Sequence, residues 1–121
     1  MMVIIMNKNY AYVVFRVLVG LLFFQHGAQK LLGWFDGAAA AFPSLFWWAG
    51  IIELLGGLAI ALGLFTQWVA LLAAGEMGVA YVLFHLPQGV VPILNQGEPA
   101  LLFFAAFLVL ATQGTGKWGL R

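Results

Sequence analysis

In a chain of 121 residues, 64% hydrophobic and only 7% charged, a water-soluble surface cannot be built, because a soluble domain carries about 25% charged residues. Five Lys and Arg against four Asp and Glu leave a net charge of +1 with no basic tract, which excludes nucleic acid as an electrostatic partner. The absence of cysteine removes thiol nucleophiles, thiolate metal sites, Fe–S clusters and covalently attached haem, so any redox chemistry is borrowed from a bound cofactor or a partner.

The implied solvent is the lipid bilayer, and a helix needs about 20 residues to cross it. Four segments qualify: 10–32, 44–64, 67–86 and 98–113. Lys8 precedes the first apolar stretch, but Arg16 interrupts it and no small-x-small site follows, so this stretch reads as a span rather than a cleaved signal. Between the first two spans, Trp34 to Pro43 is too long for a tight turn and too short to cross again. It is expected at the interface, with one or two helical turns through Ala38 to Ala41. Pro43 and Ser44 supply a break and a capping oxygen for the second span. Gly63 to Gln67 is a short connection that makes spans two and three antiparallel neighbours. Glu98 and Pro99 suit the first turn of the fourth span. That span covers about 24 Å at roughly 1.5 Å per residue, so Pro87 to Gly97 is expected to dip in against the other helices. The expected fold class is all-α: an integral membrane, antiparallel four-helix bundle, with one domain over residues 1–121.

Lys8, Lys117 and Arg121 share one side, whereas the other has Lys30 offset by Asp36. The positive-inside rule then places both termini in the cytoplasm of a multi-pass cell-membrane protein. Tyr10, Tyr12, Trp68 and Trp118 mark the inner boundary, and Trp34, Trp47 and Trp48 the outer one. A weak echo between Gly63–Trp68 and Gly114–Trp118 reads equally as a two-helix repeat or as the same interfacial chemistry used twice.

An ionisable side chain within a span costs about 2.5 to 3.5 kcal/mol, so it faces the interior and finds partners. Arg16, Glu53 and Glu76 are the deep ones, and they are expected to converge. Read structurally, they form an ion-pair cluster that sets helix register. Read functionally, one guanidinium facing two carboxylates leaves a negative charge whose cheapest remedy is a proton on one glutamate, the property that quinol oxidation or a proton relay requires. On the first helix Arg16, Gly20, Phe23, Gly27 and Lys30 form one stripe with His26 at its edge. The stripe leads toward Asn95 and Glu98, so His26, Lys30, Asn95 and Glu98 are expected to form a second cluster at the outer mouth. The structural alternatives are snorkelling for Lys30 and a helix-dipole role for Glu98. His26 and His85 lie at similar depth, as a bis-histidine haem would require. At about 100° per residue His85 faces away from Glu76 unless Pro87 distorts the turn, which disfavours haem. A metal site of His and Glu is weaker still. The glycines of helices two and three read as packing positions, and none forms a dinucleotide-binding fingerprint.

Three stretches together resemble the DoxX family of small four-helix membrane proteins. They are Arg16-Val-Leu-Val-Gly20 with His26-Gly27 and Lys30, Glu53-Leu-Leu-Gly-Gly57 through Gly63-Leu-Phe-Thr66 with Glu76-Met77, and Asn95-Gln-Gly-Glu98 leading to Gly114-Thr-Gly116. The resemblance spans about residues 10 to 118. The chain departs from the family pattern at Gln67, where a basic residue is frequent, at Gln96, where a second glycine is common, and in lacking an acidic ending. The family takes its name from a subunit associated with a terminal quinol oxidase and with thiosulfate:quinone oxidoreduction. The resemblance therefore implies this fold and membrane location and points to a membrane subunit of a redox system, not a stand-alone enzyme. Arg16, His26, Lys30, Glu53, Glu76, Asn95 and Glu98, read from their depth and charge, are the expected ligand-binding or proton-handling residues, and no residue is assigned as catalytic. Quinone is the cofactor such an interior could hold, and the partners would be the bilayer, a redox protein and further copies of the chain. The alternatives are proton or small-solute permeation and a non-catalytic membrane scaffold.

Overall fold

Asn7 begins the first helix by accepting a hydrogen bond from the Asn9 amide at 2.8 Å, which moves its start ahead of the expected residue 10. The structure, a computed structural model, describes residues 7–121, so residues 1–6 of the single-domain reading lie outside the described residues. The described chain is all-helical: α1 (Lys8–Leu32), α2 (Leu45–Leu62), α3 (Thr66–Ala80), α4 (Pro92–Asn95) and α5 (Glu98–Gln113). A π-helical turn (Tyr81–His85) and a 3-10 turn (Leu86–Gln88) prolong α3.

Most ends follow local chemistry. Ser44 caps α2 by accepting from the Trp47 amide at 3.2 Å, and Gly63 ends it in the left-handed region at φ 72°. Pro99 falls in the first turn of α5, which runs over the expected residues. The expected single helix over 67–86 is instead split. Pro87 has no amide to donate, and its ring crowds the carbonyl four residues earlier, so the α-helical ladder cannot run on through it. The chain widens to a π turn at Tyr81–His85 and tightens to 3-10 at Leu86–Gln88. The helical turns expected through Ala38 to Ala41 do not form. Phe35 and Asp36 both adopt left-handed φ angles, and the Ala40 amide is drawn back to the Lys30 carbonyl at 2.7 Å.

Packing rests on small residues. A Cβ on Gly27 would run into the Leu54 backbone, one on Gly57 into that of Phe24, and one on Gly20 into that of Ala61. These pairs run in opposite directions along the two chains, so α1 and α2 are antiparallel with their backbones in contact. Ala70, Ala73, Ala74 and Met77 of α3 meet Ala100, Phe107 and Leu110 of α5, and Phe23 and Ile60 join the two pairs into one core.

The polar pattern is inverted relative to a soluble protein. Large apolar side chains such as Leu18, Leu22, Leu55, Leu72 and Leu102 are exposed, whereas Arg16, Glu53, Thr66 and Asn95 are buried. Among the described residues three helices are long and apolar enough to cross a membrane: α1, α2 and the prolonged helix Thr66–Gln88. The apolar α5 is shorter, at 16 residues.

At the end where α1 begins, the tail returns to the α2–α3 turn. The Leu120 and Arg121 amides donate to the Leu62 and Gly63 carbonyls at 3.0 and 2.7 Å. Thr115 Oγ1 donates to Thr66 Oγ1 at 2.9 Å, and Trp118 stacks on Tyr10 at 5.1 Å between ring centroids. The two segments that echo each other in sequence thus meet in space.

Candidate functional site

The site begins at the closest approach of α1 and α2. Because Gly27 has no side chain, α1 lies against the backbone at Glu53 and Leu54. Lys30 follows on the same face one turn later, and its Nζ reaches Glu53 Oε1 at 2.7 Å. The Glu53 side chain is 2% exposed and that of Lys30 24%, so the pair sits at the rim of the protein interior. Glu76 of α3 stands close enough to interact with both, and its Oε1 is buried without a hydrogen-bond partner among the described residues.

Two imidazoles complete the set. His26 packs edge-on to Phe103 at 5.6 Å, and His85 Nδ1 lies 3.1 Å from the Asn95 carbonyl oxygen. His26, Lys30, Glu53, Glu76 and His85 all line one cavity of about 750 Å³ whose remaining wall is mostly apolar, with Phe23, Ile52, Met77 and Phe103 among its residues. Electrostatic interactions gain strength among such walls. Two carboxylates share one ammonium there; the ammonium and the His26 imidazole can donate, whereas His85, whose Nδ1–H donates to the Asn95 carbonyl, offers its other ring nitrogen as an acceptor.

This arrangement corrects several expectations. Arg16 does not join Glu53 and Glu76. It is 2% exposed, and its guanidinium donates to the carbonyls of Ile60, Ala61 and Thr115 at the end where α1 begins. Ile60 lies two helical turns beyond Glu53, about 10 Å along the axis. The Gly27–Leu54 register sends Lys30, not Arg16, to the glutamates. The expected cluster of His26, Lys30, Asn95 and Glu98 also divides. Asn95 is fully buried, but its side chain serves the 89–97 loop, donating to Tyr81 Oη and the Gly89 carbonyl and accepting from the Gly97 amide. Glu98 is exposed in the first turn of α5. Only His26 and Lys30 of the four line the cavity. His85 does not face away from Glu76. The turn before Pro87 is distorted, the one exception the angular argument allowed: a π turn holds more residues per turn, so each advances by less than about 100°, and His85 comes to the same cavity as His26. Gln96, at φ 62°, also lines the cavity, and no local sequence signal marks it. Among the described residues no group of three or more His, Asp or Glu is placed to hold a metal ion.

The DoxX family model matches residues 11–86, which include Lys30, Glu53, Glu76 and both histidines. A protein of Haemophilus influenzae described as uncharacterized is 35% identical over 112 residues, 87% of this chain and 84% of that protein. No solved structure matches.

Proposed function

The chain belongs to the DoxX family, and from that premise we propose that it is a multi-pass subunit of a cell-membrane redox system that holds a quinone headgroup beside Lys30, Glu53 and Glu76. In this reading α1, α2, the prolonged α3 and α5 form an antiparallel four-helix bundle with both termini in the cytoplasm, an orientation supported by the side shared by Lys8, Lys117 and Arg121.

The observation that carries the reading is the Glu76 carboxyl beside the Lys30–Glu53 pair, near enough to Glu53 to share a proton with it and with a buried Oε1 to which no N–H of the described residues donates, in a cavity with apolar walls. A buried polar atom without a partner costs free energy unless something satisfies it. A quinone headgroup matches the donor set in both oxidation states. Its carbonyl oxygens accept from Lys30 Nζ or an imidazole N–H, and the hydroxyls of the reduced form donate to Glu76. The volume is that of a small-molecule site.

When bound, the quinone supplies reversible two-electron, two-proton chemistry. The chain's own residues hold the headgroup, exclude water through Phe23, Met77 and Phe103, and keep a carboxylate ready at the oxygen that gains or loses a proton. With no cysteine in the chain, electrons pass to and from a redox protein partner, and self-association of the subunit fits the same scheme.

Titration of the purified protein with a lipid-soluble benzoquinone, followed by tryptophan quenching, tests the reading. The parent binds, and Glu76→Gln stays folded but binds about tenfold more weakly or worse. A parent that binds no quinone, yet carries protons across liposomes without it, would establish permeation instead.

A further inference from the structure

We infer that the ligand reaches this cavity sideways from the bilayer, between α2 and α3, and that Gly75 is the gap through which its apolar tail leaves. The inference rests on the quinone reading above and adds the direction of access and the placement of the tail.

Helices α2 and α3 are tied together at both ends. At one end they are joined by the short Gly63–Phe65 turn, and beside it Gly56 lies against Val69, whose Cγ1 would be 3.4 Å from an added Cβ. At the other end Phe46 of α2 stacks on Phe84 of the π turn, with ring centroids 5.3 Å apart and planes 25° from parallel. Between these ties the cavity wall is made by Ala49 and Ile52 of α2 and by Leu72, Gly75 and Val79 of α3. Gly75 is exposed, and a Cβ built on it would meet nothing within 4 Å. Its surroundings contrast with those of Gly20, Gly27 and Gly57, each pressed against a backbone. The gap is flanked by exposed Leu71, Leu72 and Val79, the surface of a span that faces lipid.

A second hollow of about 390 Å³ lies under the 33–44 loop and shares only Lys30 and Phe46 with the main cavity. The ammonium paired to Glu53 and the Phe46 ring stacked on Phe84 therefore separate the two. Gly75 also immediately precedes Glu76. A molecule with its head at the carboxylate and its tail through the gap needs one polar end and one flexible apolar chain. We commit to a single-tailed, lipid-soluble quinone as that occupant.

The test uses 2,3-dimethoxy-5-methyl-benzoquinone with and without a decyl tail, on the full chain in lipid nanodiscs. The parent binds the tailed compound more tightly. Gly75→Leu places its side chain in open space and melts no lower than the parent, yet it loses about tenfold in affinity for the tailed quinone while keeping that for the tailless one. Gly75→Ala, which fills less of the gap, stays close to the parent for both. If Gly75→Leu binds the decyl compound as the parent does, or loses both compounds equally, lateral access at Gly75 is wrong while the headgroup site stands. If the parent binds neither compound, or holds only phospholipid acyl chains in the gap, the quinone reading itself fails and the inference fails with it.

Discussion

Lys30 Nζ lies 2.7 Å from Glu53 Oε1, on the turn that follows the backbone contact of Gly27 with Leu54. The pair depends on that contact, since only a glycine at position 27 lets α1 lie close enough for the lysine to reach inward. Removing one partner leaves the other charge buried and uncompensated, whereas removing both need not. Lys30→Met is therefore expected to destabilise the protein by about 1 to 3 kcal/mol, and Lys30→Met with Glu53→Gln to recover most of the loss. Thermal melts of the two single variants and the double variant in detergent give the coupling directly. Additive losses would mean the pair holds nothing together.

Gly57 offers a sharper test of the α1–α2 contact. Its Cβ would intrude on the Phe24 backbone, which cannot move aside as a flexible side chain can. Gly57→Val should cost more than the roughly 1 to 3 kcal/mol typical of overpacking, and so prevent a monodisperse fold. Size-exclusion profiles of Gly57→Val and Gly56→Ala separate this from a general dislike of substitution, because a Cβ on Gly56 meets only side-chain atoms at 3.4 Å or beyond.

Ser44, Gly63 and the Glu98–Pro99 step made the ends of α2 and α5 legible in sequence, because a cap or a break is decided by the residues beside it. Pro87 was legible as a breaker, but its effect on Tyr81–His85 was not, since a π turn depends on how the preceding ladder yields. The partners of the buried charges were the least legible. Depth alone made Arg16 a neighbour of Glu53, whereas the choice of partner follows from the α1–α2 register and from a tail that brings the Thr115 carbonyl to the guanidinium. The cation beside the two carboxylates is Lys30 and not the expected Arg16.

Arg16 ties three carbonyls on two segments, those of Ile60 and Ala61 in the last turn of α2 and that of Thr115 in the tail. Arg16→Leu deprives all three of a donor and should loosen the tail before it unfolds the helices. Arg16→Lys should rescue little, because a compact ammonium lacks the guanidinium's spread of donors. Limited proteolysis reads this out, with cleavage after Lys117 rising in both variants while the α1–α2 core stays protected. Equal cleavage in parent and variants would show that the tail is held without Arg16, by the Leu62 and Gly63 carbonyls, the Thr115–Thr66 bond and the Trp118–Tyr10 stack.

Asn95 is fully buried and uses its amide in both directions, donating to the Gly89 carbonyl at 2.8 Å and to Tyr81 Oη at 3.1 Å while its Oδ1 accepts from the Gly97 amide at 2.8 Å. These bonds fix the 89–97 loop against the π turn, and the Asn95 backbone carbonyl in turn holds His85. A carboxylate can replace the acceptor but neither donor, so Asn95→Asp sets two acceptors, its own oxygen and the Gly89 carbonyl, against each other in a buried place. Asn95→Ala loses all three bonds but opposes nothing. Each unsatisfied buried partner costs about 1 to 3 kcal/mol, and Asn95→Asp is expected to be the less stable of the two at neutral pH despite being nearly isosteric with the parent. Both should free the His85 ring, which is seen as a changed imidazole environment by NMR. If Asn95→Asp melts with the parent and the His85 signal does not move, the loop is held by its backbone, and the residue has a role other than anchoring it.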